Sequence, residues 1–256
     1  MEFIILEEND FEHCLCDKYK IKSELDIWII PNFDKYLGFD AGELQRDLEL
    51  NYPVCSEGDE IQWGECQWVE GDNDALKYRG NVLKRGKMWL QKDDPQENGF
   101  TKYYYTGWQY KVLPATASVD KCKEVQPIWK KYDEWCTMND YPESNHAIIT
   151  HYIDGNHNIG RHYDKPKSMM PKSLITIVKT GECGRPFYLA MRDNPDKPIF
   201  NEVVNPGTAI IMTVEANLET VHAVPSVNKC GNSGSIVFRT ITERVGWDKL
   251  CKKISK

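Results

Sequence analysis

The stretch Tyr152-Ile153-Asp154-Gly155-Asn156-His157-Asn158-Ile159-Gly160-Arg161-His162-Tyr163-Asp164 carries more chemistry than any other part of this chain. It ends in His-x-Asp. In an extended segment alternate side chains share a face, so His162 and Asp164 point one way and Tyr163 the other, and the middle residue is free to vary. A further histidine stands far downstream in Thr220-Val221-His222-Ala223-Val224-Pro225, with β-formers before it and a proline soon after. Two imidazoles and one carboxylate can occupy one face of an iron octahedron and leave the opposite positions open, as in non-haem Fe(II) oxygenases. His162, Asp164 and His222 are therefore the candidate ligands. The bare pattern also fits a surface His–Asp pair plus a core imidazole, and the flanking sequence has to decide.

Around this stretch lie four short apolar runs: HAIITHY (146–152), SLITIVKT (173–180), TAIIMTV (208–214) and SIVFRTIT (235–242). A weaker one, RPFYLAM (185–191), falls among them. Each has strand length and most are bounded by Gly, Pro, Asn or Asp. Such spacing predicts an antiparallel sandwich or barrel, the double-sheet jelly roll being one solution. Ile128, Trp129, Tyr132 and Cys136 fall on one side of an amphipathic helix predicted to begin after Pro127. A second helix is predicted over Ala41–Leu50, with Leu44, Leu48 and Leu50 partly on one face. WVEGDNDALK (68–77) reads as an exposed connector and WDKLCKKISK (247–256) as a short basic terminal helix. Residues 1–75 are acidic and irregular and are expected to form an N-terminal extension packed on the core, with 76–256 as the main domain.

The 256 residues suffice for one substantial core. No apolar run approaches the ~20 residues that span a bilayer, and MEFIILEEND lacks a basic n-region and a cleavage site. The nine cysteines form no CxxC pair, so free thiols in a reducing compartment, cytoplasmic or nuclear, are expected. A net charge of -7 argues against sequence-independent nucleic-acid binding over the whole surface, but leaves room for a local basic groove.

The context of the His-x-Asp resembles the AlkB-like Fe(II)/2-oxoglutarate-dependent dioxygenases. These typically carry N-x-x-L-x-N-x-Y, then D-G-x-x-x-I-G-x-H-x-D. This chain reads Asn145-His146-Ala147-Ile148-Ile149-Thr150-His151-Tyr152, then Asp154-Gly155 and Ile159-Gly160-Arg161-His162-Tyr163-Asp164. The family's later G-S-L-L-x-M and H-x-x-P appear as Gly207-Thr208-Ala209-Ile210-Ile211-Met212 and His222-Ala223-Val224-Pro225. Upstream, Arg85-Gly86-Lys87 and Tyr105-Thr106-Gly107 fall where the family has its basic turn and its Y-x-G hairpin. The resemblance covers roughly residues 80–245 with motif order kept. It implies an α+β fold, a double-stranded β-helix (jelly-roll) core with flanking helices and the N-terminal extension. It also implies an enzyme that binds Fe(II), with 2-oxoglutarate and O2 as co-substrates.

One departure concerns the co-substrate. Its distal carboxylate needs a cation, usually an arginine able to pair bidentately. AlkB-like proteins commonly end in R-x-N-x-T-x-R, whereas the last run here reads Ser233-Gly234-Ser235-Ile236-Val237-Phe238-Arg239. Aligned on its end, the first arginine is replaced by Ser233. Aligned on Arg-x-Ile-Thr, Arg239 is itself the carboxylate partner, and this register is preferred. Arg239 and Tyr152, with Thr150 in place of the family's asparagine, are the expected co-substrate residues, and Arg244 is a reserve cation.

The resemblance further implies a modified nucleobase in DNA or RNA as substrate, oxidatively demethylated or hydroxylated at a C–H bond. Arg85, Lys87, Trp89, Tyr103 and Tyr105 mix cations with aromatics, as a reader of an extruded base would. They also fit an ordinary amphipathic hairpin. The alternatives are a protein side-chain or small-molecule hydroxylase on the same fold, and a binding module that has lost catalysis.

Overall fold

The computed structural model describes residues 15–78, 81–103 and 112–254. The strands are β1 (Lys20–Lys22), β2 (Leu25–Ile30), β3 (Val54–Cys55), β4 (Trp68–Val69), β5 (Lys77–Tyr78), β6 (Asn81–Val82), β7 (Gly86–Gln91), β8 (Phe100–Thr101) and β9 (Thr116–Ser118). They continue with β10 (His146–Tyr152), β11 (Ile159–His162), β12 (Leu174–Gly181), β13 (Arg185–Met191), β14 (Pro198–Val204), β15 (Ala209–Thr213), β16 (Thr220–Val224), β17 (Ser233–Arg239) and β18 (Arg244–Val245). The helices are α1 (Phe33–Leu37), α2 (Ala41–Asn51), α3 (Pro95–Asn98), α4 (Gln126–Met138), α5 (Val214–Glu219) and α6 (Trp247–Ile254).

From β10 onward the chain passes back and forth between two sheets. A large one runs β1-β2-β15-β12-β17-β10-β7-β4-β3 and a smaller one β11-β16-β13-β14. The eight strands β10–β17 form the double-sheet jelly roll that the apolar runs predict. All five runs became strands, as did Pro198–Val204, whose exposed, charged half hid it from a hydrophobicity reading.

Both faces of the large sheet are covered. Along β10, Ala147 and Ile149 join Leu44 and Leu48 of α2 and Trp129 and Trp135 of α4 in one core, while Ile148 and Tyr152 face the small sheet with Ile177, Val237 and Phe187. Helix α2 starts where the Asp40 carboxylate accepts the Gly42 and Glu43 N–H groups, each at 2.9 Å. Its Leu44 and Leu48 are buried as expected, but Leu50 is 82 % exposed, because α2 presents only one stripe to the sheet.

Residues 15–75 build both flanks of the large sheet. Strand β2 pairs with β15, Ile30 opposite Ala209, and β4 pairs with β7, Val69 opposite Lys87. Residues 68–77, expected as an exposed connector, bury Trp68, Val69, Asn73, Ala75 and Leu76; the Trp68 indole donates to the Leu48 carbonyl at 2.9 Å. Asp74 of that stretch faces solvent while its apolar residues fill the core.

Free thiols were expected throughout, but Cys183 and Cys230 form a disulfide, Cα to Cα 6.1 Å. They lie 47 residues apart, in the β12–β13 and β16–β17 loops, which the topology brings to the same end of the sandwich. Cys16, Cys55, Cys66, Cys122 and Cys136 are free thiols, and Cys14 lies outside the described residues. Among the described residues no helix is long and apolar enough to cross a membrane.

Candidate metal centre

The loop from Ile153 to Asn158 carries the chain from the large sheet to the small one, and local chemistry fixes its shape. Asp154 accepts the Asn156 and His157 N–H groups at 2.8 and 3.2 Å. Gly155 passes so close to the 227–230 segment that an added Cβ would lie 2.0 Å from the Val227 carbonyl oxygen. Only glycine fits, which explains the Asp-Gly of the opening stretch. Beneath this loop Arg185 is fully buried, with no exposed surface. Its guanidinium donates to the carbonyls of Asp154 (3.1 Å), Gly155 (3.4 Å), His157 (2.7 Å) and Pro225 (2.9 Å), joining the loops after β10 and β16.

Strand register then brings the candidate ligands together. His162 on β11 stands directly opposite His222 on β16, and cross-strand partners share a face. Their ring centroids are 4.4 Å apart, and Asp164, two residues beyond His162, completes the group. One donor atom from each of the three lies within 4.8 Å of the others.

Each side chain is oriented to leave a donor free. The carbonyl of Gly160 can only accept, so at 2.8 Å it fixes the His162 proton on Nδ1 and leaves Nε2 bare, 3.9 Å from Asp164 Oδ1. Asp164 has its backbone clamped by Asn217 of α5, whose Oδ1 accepts the Asp164 N–H and whose Nδ2 donates to the Asp164 carbonyl, both at 2.8 Å. Arg239 donates from Nε and Nη2 to Asp164 Oδ2 at 2.9 and 2.6 Å, so Oδ1 is the oxygen left toward the histidines. His222 lies against the Phe187 ring, and its Nδ1 is buried with no hydrogen-bond partner among the described residues. That orphaned nitrogen, a bare Nε2 and a turned carboxylate fit a divalent metal better than they fit one another.

The electrostatics agree. Desolvation lowers the His162 imidazole, helped by the adjacent His222, although 32 % of its side chain stays exposed, and burial lowers His222 too. Both rings are thus neutral near pH 7, the state that ligates. Burial alone would raise the Asp164 carboxyl, but Arg239 and the two histidines outweigh it and hold it below the usual carboxylate range.

The remaining expected residues are placed unevenly. Thr150 and Tyr152 on β10 line the same pocket, as do Arg85 and Lys87. Arg239 lines it too, but its guanidinium is engaged by Asp164 and was expected on the co-substrate. Arg244 is outside it and pairs with Asp93 at 3.0 Å. Trp89 is only 1 % exposed and is packed in the core, so it offers no surface for stacking a base. Tyr103 is buried between His146 and Arg239, whose guanidinium carbon lies 4.6 Å from the ring centroid. Tyr105 lies outside the described residues. Sequence reasoning missed Asn217, Arg185 and Lys179.

As an outer partner of the carboxylate ligand, Arg239 should control metal affinity. Arg239→Met is expected to weaken Mn(II) or Fe(II) binding by about 10- to 100-fold without abolishing it. Equilibrium titration against a chelator measures this, and unchanged affinity would remove Arg239 from the ligand set's support.

No family model matches the chain, and no curated protein does. Solved structures do. One described as OsALKBH1 superposes with a TM-score of 0.50 at 14 % identity, covering 86 % of this chain and 98 % of that one. A prolyl hydroxylase from Trichoplax adhaerens, in complex with a hypoxia inducible factor oxygen degradation domain peptide fragment, gives 0.52 at 11 %, covering 92 % and 90 %. The fold is therefore that of the Fe(II)/2-oxoglutarate-dependent oxygenases.

Proposed function

We propose that this chain is a non-haem Fe(II)- and 2-oxoglutarate-dependent dioxygenase whose substrate is a modified nucleobase in DNA or RNA. The observation that carries the enzyme reading is the convergence of His162, Asp164 and His222 within 4.8 Å, in a pocket between the two sheets of an oxygenase fold. Bound there, Fe(II) with 2-oxoglutarate supplies the oxidising power that couples O2 reduction to hydroxylation of a C–H bond.

The protein's own groups do the rest. The two imidazoles and Asp164 would hold the metal, and Arg239 keeps the carboxylate turned. Thr150 and Tyr152, which line the pocket, would offer their hydroxyl groups to the co-substrate. The packed walls, Ile148, Ile177, Phe187 and Val237 among them, exclude water from the reacting centre. His162 remains 32 % exposed at its side chain, which marks the open side through which substrate approaches.

Support for a nucleic acid comes from the likeness to OsALKBH1 and from the cations Arg85 and Lys87 in the pocket lining. A second reading, hydroxylation of a protein side chain, is favoured by the prolyl hydroxylase likeness and by the net charge of -7.

Anaerobic addition of Fe(II) and 2-oxoglutarate is expected to produce the weak visible charge-transfer band of the chelate. Its absence while iron binds would refute 2-oxoglutarate as co-substrate. Methylated oligonucleotides should then stimulate succinate release and bind with a steep salt dependence. Stimulation by peptides alone would replace the nucleobase reading by the side-chain one.

A further inference from the structure

The pocket is charged unevenly. Arg85, Lys87, Lys179 and Arg239 line it, against a single carboxylate, Asp164. Arg239 is committed to that carboxylate, and Lys87 and Arg85 lie on the β7 side of the pocket, where Lys87 feels Arg239 and Asp164. Lys179 is different. It stands on β12, on the far side of β17 from β7, and its one charged neighbour of consequence is Arg185, beneath the loop.

Lys179 is 2 % exposed. It shares the inward face of β12 with Ile177, while Val178 turns to the helices. Its ammonium lies 5.7 Å from the centre of the Tyr152 ring and makes no hydrogen bond or ion pair among the described residues. A buried ammonium without an acceptor is costly, and burial lowers Lys179 to about 7. A cation kept under those conditions, facing a pocket, calls for an anionic ligand.

The register supplies the rest of that ligand's surroundings. Lys179 pairs with Ser235, Ser235 with Thr150, and Thr150 with Lys87, one row across β12, β17, β10 and β7. The Ser235 and Thr150 side chains line the pocket from the middle of this row, and neither hydroxyl makes a hydrogen bond among the described residues. Tyr152, one inward position further along β10, adds a third hydroxyl. Arg239 is four residues beyond Ser235, about 13 Å along the strand, and marks the metal end. Metal at one end and an unpaired cation with hydroxyls toward the other match a molecule that chelates by one terminus and carries a carboxylate at its second.

We infer that Lys179, with the hydroxyls of Thr150, Ser235 and Tyr152, holds the distal carboxylate of 2-oxoglutarate, and that Arg239 is a positioning residue for Asp164. The cation for the co-substrate has thus moved from the last strand of the jelly roll to its neighbour β12. This rests on the dioxygenase reading above.

The test measures binding, with Mn(II) in place of Fe(II) so that nothing turns over. Wild type and Lys179→Met are titrated calorimetrically with 2-oxoglutarate and with 2-oxobutyrate, which chelates identically but lacks the distal carboxylate. Lys179→Met should lose roughly 30-fold or more in 2-oxoglutarate affinity and leave 2-oxobutyrate affinity unchanged. Metal-free Lys179→Met should melt at or above the wild-type temperature, since an unpaired buried charge has gone. Equal 2-oxoglutarate affinity in the two proteins, or an equal loss for both acids, overturns the assignment of Lys179. Failure of Mn(II)-loaded wild type to bind 2-oxoglutarate at all overturns the dioxygenase reading itself, and the inference with it.

Discussion

Replacing His222 with alanine is expected to abolish succinate formation while leaving a folded protein. Removing an outer partner of a metal ligand already costs about 10- to 100-fold, so removing a ligand should exceed roughly 100-fold. The fold should tolerate the change for a reason visible in the site. His222 gives its Nδ1 to nothing, and its ring makes its close contacts with His162 and Phe187. No hydrogen-bonded partner is stranded when it goes, so only packing is lost, and metal-free His222→Ala should melt within a few degrees of wild type. Wild-type rates of coupled succinate release in this variant would disprove the metal assignment.

Arg185→Met should do the reverse, damaging the fold first and the chemistry second. Four backbone carbonyls, on Asp154, Gly155, His157 and Pro225, accept from this one guanidinium. Methionine fills much of the volume but donates nothing, so buried carbonyls lose their partners. The expected cost is about 3–5 kcal/mol, or on the order of 10 °C in melting temperature for a chain of this size. Because these carbonyls lie in the loops that precede His162 and follow His222, metal affinity should fall as well. A thermal melt and a chelator titration on the same sample measure both, and an unchanged melting temperature would show that water replaces the guanidinium without loss.

The clustering of His162, Asp164 and His222 was legible in part because alternation is local. Alternation puts His162 and Asp164 on one face whatever surrounds them, and Gly155 signals a close approach that the backbone confirms. Lys179 was legible by the same rule and passed over. In SLITIVKT the positions of Ile175 and Ile177 continue to residue 179, so a lysine sits on the buried face of a strand. The Arg239–Asp164 pairing was not legible, for a different reason. Which acid an arginine meets depends on sheet order and on the reach of a loop from the other sheet, and alignment of one strand holds neither. Trp89 looked like a surface aromatic because Lys87 and Arg85 precede it. Helices cover one face of β7 and the pocket the other, so polar neighbours there say nothing about solvent. The Cys183–Cys230 pairing has no signature in spacing.

The pairing of β2 with β15 has a consequence for how the protein is made. The two strands lie about 180 residues apart in the chain. At roughly 5–20 residues per second a ribosome needs about 10–35 s to deliver β15 after β2 has emerged. For that interval Leu25-Asp26-Ile27-Trp28-Ile29-Ile30 is an apolar strand with no partner on that edge, able to pair with its like on a neighbouring nascent chain. Yield in the cell is therefore governed by what shields this segment during synthesis, a demand separate from the stability of the finished fold.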